Sequence, residues 1–158
     1  MDVLIVVESF YGNTTHIAEQ IADGMRSKGA TVTVASPAQS PDVDGVELLL
    51  VGAPTHMRGL PGARSRQMAA ARGAAGESVG VSDWLSSANV PKGLRSAAFD
   101  TAVAGSFAGS ATKAIQKRLK TLGASVVAQE SFLVEGKDVP HLRDGELDRA
   151  AQWGASLL

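Results

Sequence analysis

A run of hydrogen-bonding residues, Ser9-Phe10-Tyr11-Gly12-Asn13-Thr14-Thr15, stands between an apolar stretch, Val3-Leu4-Ile5-Val6-Val7, and a segment with helical spacing. Ile17, Ala18, Ile21, Ala22 and Met25 fall on one face of that helix. A strand that ends in hydroxyls, a glycine and an asparagine before turning into a helix is suited to holding an anion. The first-turn N–H groups of a helix have no acceptor within it, and the helix dipole favours negative charge beside them. Gly12 lets the backbone come close, while Ser9, Asn13, Thr14 and Thr15 can donate hydrogen bonds without adding charge. No Lys or Arg lies between Val3 and Met25, so such a site holds phosphate with neutral donors. The stretch lacks both the G-x-x-x-x-G-K-[ST] loop of nucleoside triphosphatases and the G-x-G-x-x-G dinucleotide turn. A second reading stays open on these residues alone, in which Asn13 and Thr14 only cap a helix.

Other chemistry finds less support. The chain has no cysteine, which excludes disulfides, thiolate metal sites and cysteine nucleophiles together. His16, His56 and His141 have no zinc-ligand spacing. Ser9, His56 and Asp100 could be drawn as a hydrolytic triad, but no G-x-S-x-G elbow accompanies them. A net charge of -1 gives no reason to expect a nucleic acid or an anionic membrane as partner. The first apolar run is too short for a signal peptide or a membrane span, so the expected location is the cytoplasm.

These residues need elements to position them, and 158 residues with 44% hydrophobic content suffice for one domain with a proper core. Strand and helix signals alternate along the chain. Thr31-Val32-Thr33-Val34 alternates as a strand does, and residues 36–44 form a loop rich in Pro, Ser and Asp. Residues 46–52 are nearly all apolar, as in a strand buried on both faces. Residues 64–72 read as a helix, residues 73–80 are too glycine-rich to continue it, and Asp83-Trp84-Leu85 makes a further turn with Trp84 as a packing residue. Residues 96–100 form a weaker strand. Ala111, Ile115, Leu119 and Leu122 then share a helical face that Gly123 closes. The last strand starts at Ser125 and runs on through Phe132-Leu133-Val134. Asp144 is expected to cap a final helix with Leu147, Ala150, Ala151, Gly154 and Leu158 inward. The pattern predicts an α/β fold, a doubly wound five-stranded parallel sheet with helices on both faces and a single domain spanning residues 1–158.

With this frame in place, Ser9-Phe10-Tyr11-Gly12-Asn13-Thr14-Thr15 resembles the phosphate loop of the flavodoxin-like flavoproteins, whose pattern is roughly T/S-x-T/Y-G-N-T. The resemblance covers nearly the whole chain. Gly52-Ala53-Pro54-Thr55-His56 is similar to the G-x-P-T/V-[YH] start of the family's second loop, and residues 100–110 to its third. Phe132-Leu133-Val134 and Gly145-Glu146-Leu147-Asp148-Arg149-Ala150 look like the small bacterial members, and the last strand without a long insertion fits the short-chain form. The resemblance implies strand order 2-1-3-4-5, with ligand at the carboxyl ends of the strands where that order reverses. It implies FMN as cofactor. Ser9, Phe10, Tyr11, Gly12, Asn13, Thr14 and Thr15 would hold the ribityl phosphate. Pro54, Thr55, His56, Met57 and Arg58 would wrap one side of the isoalloxazine ring. Asp100, Thr101, Gly105 and Phe107 would stand on the loop at its pyrimidine edge. Electron transfer is the implied function, with a redox protein or NAD(P)H as partner and no catalytic side chain or metal.

The chain departs from the family's pattern in two respects. Its second and third loops supply no Trp or Tyr to stack on the ring, leaving His56, Met57 and Phe107 as the nearest substitutes. Electron-carrier flavodoxins are also strongly acidic, whereas this chain is nearly neutral, and Arg58, Arg64, Arg66 and Arg72 occur without an intervening acid. The arginines read either as a solvated helix face or as an anion-receiving rim for a nicotinamide phosphate or a carboxylated substrate. Two further functions therefore stand beside electron transfer: an FMN-dependent NAD(P)H reductase, and a binding module of the same fold that takes no FMN.

Overall fold

Apolar runs rich in Val, Leu and Ala become the middle of one sheet. The computed structural model describes residues 1–56, 59–73, 79–105 and 110–158. Its strands are β1 (Asp2–Val7), β2 (Thr31–Ala35), β3 (Leu48–Pro54), β4 (Arg95–Val103), β5 (Ser125–Glu135) and β6 (His141–Leu142). They lie in the order β2-β1-β3-β4-β5-β6. The first five are parallel; Ile5, for example, stands opposite Val34 on one side and Leu50 on the other. The helices are α1 (Asn13–Arg26), α2 (Ala63–Ala71), α3 (Val81–Ser87), α4 (Ala111–Thr121) and α5 (Glu146–Ser156). Among the described residues, no helix is long and apolar enough to cross a membrane.

Each face of the sheet has its own core. Alternate residues of β1 point to opposite faces, so Val3, Ile5 and Val7 meet Ile17, Ile21 and Met25 of α1, together with Phe99 and Phe132. Leu4 and Val6 meet Val81, Trp84 and Leu85 of α3 and Ile115 and Leu119 of α4. Covered on both sides, Leu48, Leu49, Leu50 and Val51 of β3 are fully buried, which is why that run carries no polar alternation. Burial of each such side chain contributes roughly 1.5–3 kcal/mol. Trp84 packs in the second core and its Nε1 donates to the Pro41 carbonyl at 3.2 Å.

The parallel sheet and its order agree with the sequence reading, with two corrections. A sixth strand, β6, pairs antiparallel with β5, Val134 opposite Leu142 and Glu135 opposite His141. Two residues carry no periodicity, so nothing local announces it. The final helix begins at Glu146 behind Gly145, with no side-chain cap, and Asp144 does not cap it. Its inward stripe is Glu146, Ala150, Gly154 and Leu157, while Leu147 and Leu158 are exposed. The face is chosen by Gly154, which lies against the Ile21 carbonyl of α1 and brings Ala150 and Glu146 inward at four-residue intervals.

Candidate functional site

In a doubly wound sheet the strand order reverses beside the first strand, and the loops leaving the carboxyl ends there diverge to leave a crevice. Here those loops follow β1, β3 and β4.

The first loop turns at Gly12, whose φ of +87° suits glycine. The Gly12 N–H donates to Ser9 Oγ at 3.1 Å, and the His16 N–H donates to the Gly12 carbonyl at 2.9 Å to start α1. No side chain caps α1 and its first turn holds no acid. Among the described residues, the N–H groups of Asn13, Thr14 and Thr15 have no acceptor. The capping alternative therefore fails: Asn13 Nδ2 donates instead to the Pro140 carbonyl at 2.8 Å, and the Thr14 hydroxyl shares a 2.8 Å hydrogen bond with that of Thr101.

The second loop is tied down at both ends. The Thr55 N–H donates to the Thr101 carbonyl at 2.8 Å, and its hydroxyl donates to Asp100 Oδ2 at 2.8 Å while accepting from the Ala111 N–H. His56 and Gly59 exchange backbone hydrogen bonds of 3.0 and 3.1 Å. The His56 ring meets Phe10 edge-on with centroids 5.7 Å apart. Its Nδ1 is buried without a partner. Burial, helped by the Arg72 charge, pushes the His56 pKa down, so the imidazole is neutral at pH 7.

Asp100 is wholly buried beneath the loops. Besides Thr55 it accepts hydrogen bonds from the Thr112 N–H at 3.2 Å and from the Ser131 hydroxyl. It is a strut that joins the second loop, α4 and β5. It makes no bond to His56, so Ser9, His56 and Asp100 form no hydrolytic triad. Gly105 is exposed at the start of the third loop. Met57, Arg58 and Phe107, read as ring contacts, lie outside the described residues.

Together the loops enclose a cavity of about 200 Å3. Ser9, Phe10, Tyr11, Asn13 and Thr14 form one wall, and Pro54, Thr55 and His56 another, with Thr101 between them. Gly12, Thr15, Asp100 and Gly105 are not part of its lining. Further lining comes from Arg72 beyond α2, Val103, Val134, and the turn that holds Gly136, Lys137, Asp138 and Pro140; of these only the turn carries no motif in the sequence. Of the arginines read as a rim, Arg72 does reach the cavity. Arg66 does not; it is largely buried and pairs with Glu8 at 3.5 Å and Asp83 at 3.1 Å. Among the described residues, no three His, Asp or Glu side chains gather to hold a metal ion.

A doubly wound parallel sheet with an uncapped loop-helix turn and a crevice at its point of reversal defines an open α/β domain. The family model for flavodoxin matches residues 5–153, and the chain belongs to the flavodoxin family. Solved structures with the same fold include a flavodoxin from the domain Archaea, 22% identical over 99% of this chain and 96% of that one, with a TM-score of 0.68. Flavodoxin 1 from Bacillus cereus is 17% identical over 98% and 95%, with a TM-score of 0.67. A short-chain flavodoxin associated with a bacterial PDU microcompartment is 17% identical over 99% and 96%, with a TM-score of 0.68. No curated protein sequence matches this chain.

Proposed function

We propose that this chain binds FMN and carries electrons between partner proteins. The observation that supports this reading is the uncapped first turn of α1, which opens at the end of β1 beside the hydroxyl-lined cavity. The residues present fit a phosphate monoester. Among the described residues three backbone N–H groups lack acceptors, no carboxylate occupies the first turn, and Ser9 and Tyr11 line the same wall. Thr14 accepts from or donates to Thr101, which fixes its hydroxyl in place. Pro54, Thr55 and His56 would flank the ring, with Phe10 and His56 in edge contact on the cavity wall. When bound, the flavin supplies the electron chemistry; the chain supplies affinity, orientation and electrostatic environment.

Fluorescence titration of the flavin-free protein with FMN and with riboflavin tests this. FMN is expected to bind far more tightly than riboflavin. Thr14→Ala should cost roughly 1.5–3 kcal/mol of FMN binding and leave riboflavin unchanged, the scale of a hydrogen bond to a charged group. Equal affinity for the two flavins removes the phosphate-loop reading. Absence of binding to either favours a binding module of this fold without FMN.

One observation favours a second reading, that of an FMN-dependent NAD(P)H reductase. Arg72 stands on the cavity wall beside His56, where a guanidinium can pair with a phosphate or carboxylate. Anaerobic mixing of the flavin-loaded protein with NADPH distinguishes the two. Rapid bleaching of the flavin band supports a reductase, and an unchanged band supports a carrier reduced by a partner protein.

A further inference from the structure

Phosphate carries up to two negative charges, and the first loop offers it only neutral donors. The tertiary structure brings a cation from elsewhere. β5 continues to Glu135, turns through residues 136–140 and returns as β6, so that the tip of this hairpin lies over the first loop. Asn13 Nδ2 reaches across to the Pro140 carbonyl at 2.8 Å and ties the tip to the first turn of α1. Lys137 and Asp138 of the tip line the cavity alongside Ser9, Tyr11, Asn13 and Thr14.

The base of the hairpin is braced independently of any ligand. Arg143 N–H donates to the Leu133 carbonyl at 3.0 Å, and Glu135 lies 3.4 Å from His141 Nε2 and 3.6 Å from Arg143 Nε. Leu133 N–H donates to Glu146 Oε2 at 2.6 Å, which joins the hairpin to the start of α5. The tip is thus held where it stands by bonds on both sides.

We propose that the β5–β6 hairpin is the phosphate-side wall of the site, and that Lys137 supplies the cation the first loop lacks, making the site selective for the phosphorylated flavin. The proposal rests on the FMN reading above and adds a determinant outside the three loops. Asp138, on the same wall, opposes Lys137. The two side chains therefore act in opposite directions on a bound anion, which a purely structural role for the turn would not produce. Arg72 lines the cavity as well, so the wall charges of the described residues, Arg72 and Lys137 against Asp138, leave a positive balance.

The test is titration of the flavin-free full chain with FMN and with riboflavin, in Lys137→Met, Lys137→Arg and Asp138→Asn, at low and high salt. Lys137→Met is expected to lose about fivefold in FMN affinity, the scale of one partly solvated ion pair, with riboflavin unchanged. Lys137→Arg should restore FMN binding, Asp138→Asn should tighten it, and high salt should narrow the gap between wild type and Lys137→Met. A wild type that prefers FMN while Lys137→Met keeps the full preference overturns this proposal alone. A wild type that does not distinguish the two flavins overturns the phosphate-loop reading and this proposal with it. Parallel weakening of both flavins, in Lys137→Met and Asp138→Asn alike, shows the turn to be only structural and also overturns it.

Discussion

Glu8 follows β1 directly and, two residues after Val6, points to the same face, into the core beneath α3. It is 6% exposed. Its Oε1 accepts from the Val81 N–H at 2.9 Å, and Oε2 faces Arg66 across 3.5 Å. Burial raises its pKa by more than the Val81 N–H and the Arg66 charge lower it. The folded protein therefore holds this proton more tightly than the unfolded chain does. The sign follows: stability falls as pH rises from the ordinary value of 4.5 through the raised one. Glu8→Gln keeps an acceptor for Val81 and should remove that slope, read as denaturant midpoints across a pH series. Arg66→Met should act the other way, leaving a buried carboxylate unpaired at a cost of about 3–5 kcal/mol at neutral pH. At the cavity, Arg72 is one cause of the lowered His56 pKa. Arg72→Met should move the His56 titration back toward its ordinary value, as followed by NMR of the imidazole; an unmoved midpoint would mean that burial alone accounts for the shift.

At the scale of elements, α1 and α5 lie so close that glycine is required at their crossing. A Cβ on Gly24 would run into the Ala151 carbonyl, and one on Gly154 into the Ile21 carbonyl. Both obstacles are backbone, so neither can swing aside. Gly154→Ala should destabilise the protein by roughly 1–3 kcal/mol or more in urea denaturation, while the variant that remains folded should keep the flavin affinity proposed above, because the crossing lies away from the loops. A second link runs through the start of α5. Glu146 accepts from the Leu133 N–H and pairs with Arg149, whose guanidinium lies 4.5 Å from the centre of the Phe132 ring. The Arg149 hydrogen bond holds the Glu146 carboxyl below its usual range. Its contribution is full above the ordinary carboxylate range and is lost as pH falls through the lowered value. Glu146→Gln should thus weaken the protein at pH 7 and by much less in acid.

For the whole molecule, the doubly wound order decides where loops from distant parts of the chain meet, and composition decides how the molecule meets a partner. A net charge of -1 provides little long-range steering. Under the carrier function proposed above, electron exchange with a partner protein should therefore change little between low and high salt, measured as a second-order rate by rapid mixing. A steep salt dependence would reveal a concentrated charged face that the net charge hides.

The parallel sheet, its two-sided burial and the glycine turn from β1 into α1 were legible because each is written locally. The apolar run of β3 records a strand covered on both faces, and Gly12-Asn13-Thr14 records a turn into a helix. Charge pairing and loop closure were not legible, because they depend on residues far apart in the chain. Arg66 looked free of acids until the sheet brought Glu8 to it; Asp100 looked like a cavity residue until β4 carried it under the loops to Thr55 and Ser131. Lys137 stands in the turn before a two-residue strand that has no periodicity of its own. The sequence by itself determined the layers and the first wall of the site, since apolar spacing and turn residues act over a few positions. Only the tertiary structure decided the hairpin wall, the face of α5 and the partners of the buried charges, since these follow from which distant parts of the chain the assembled sheet sets side by side.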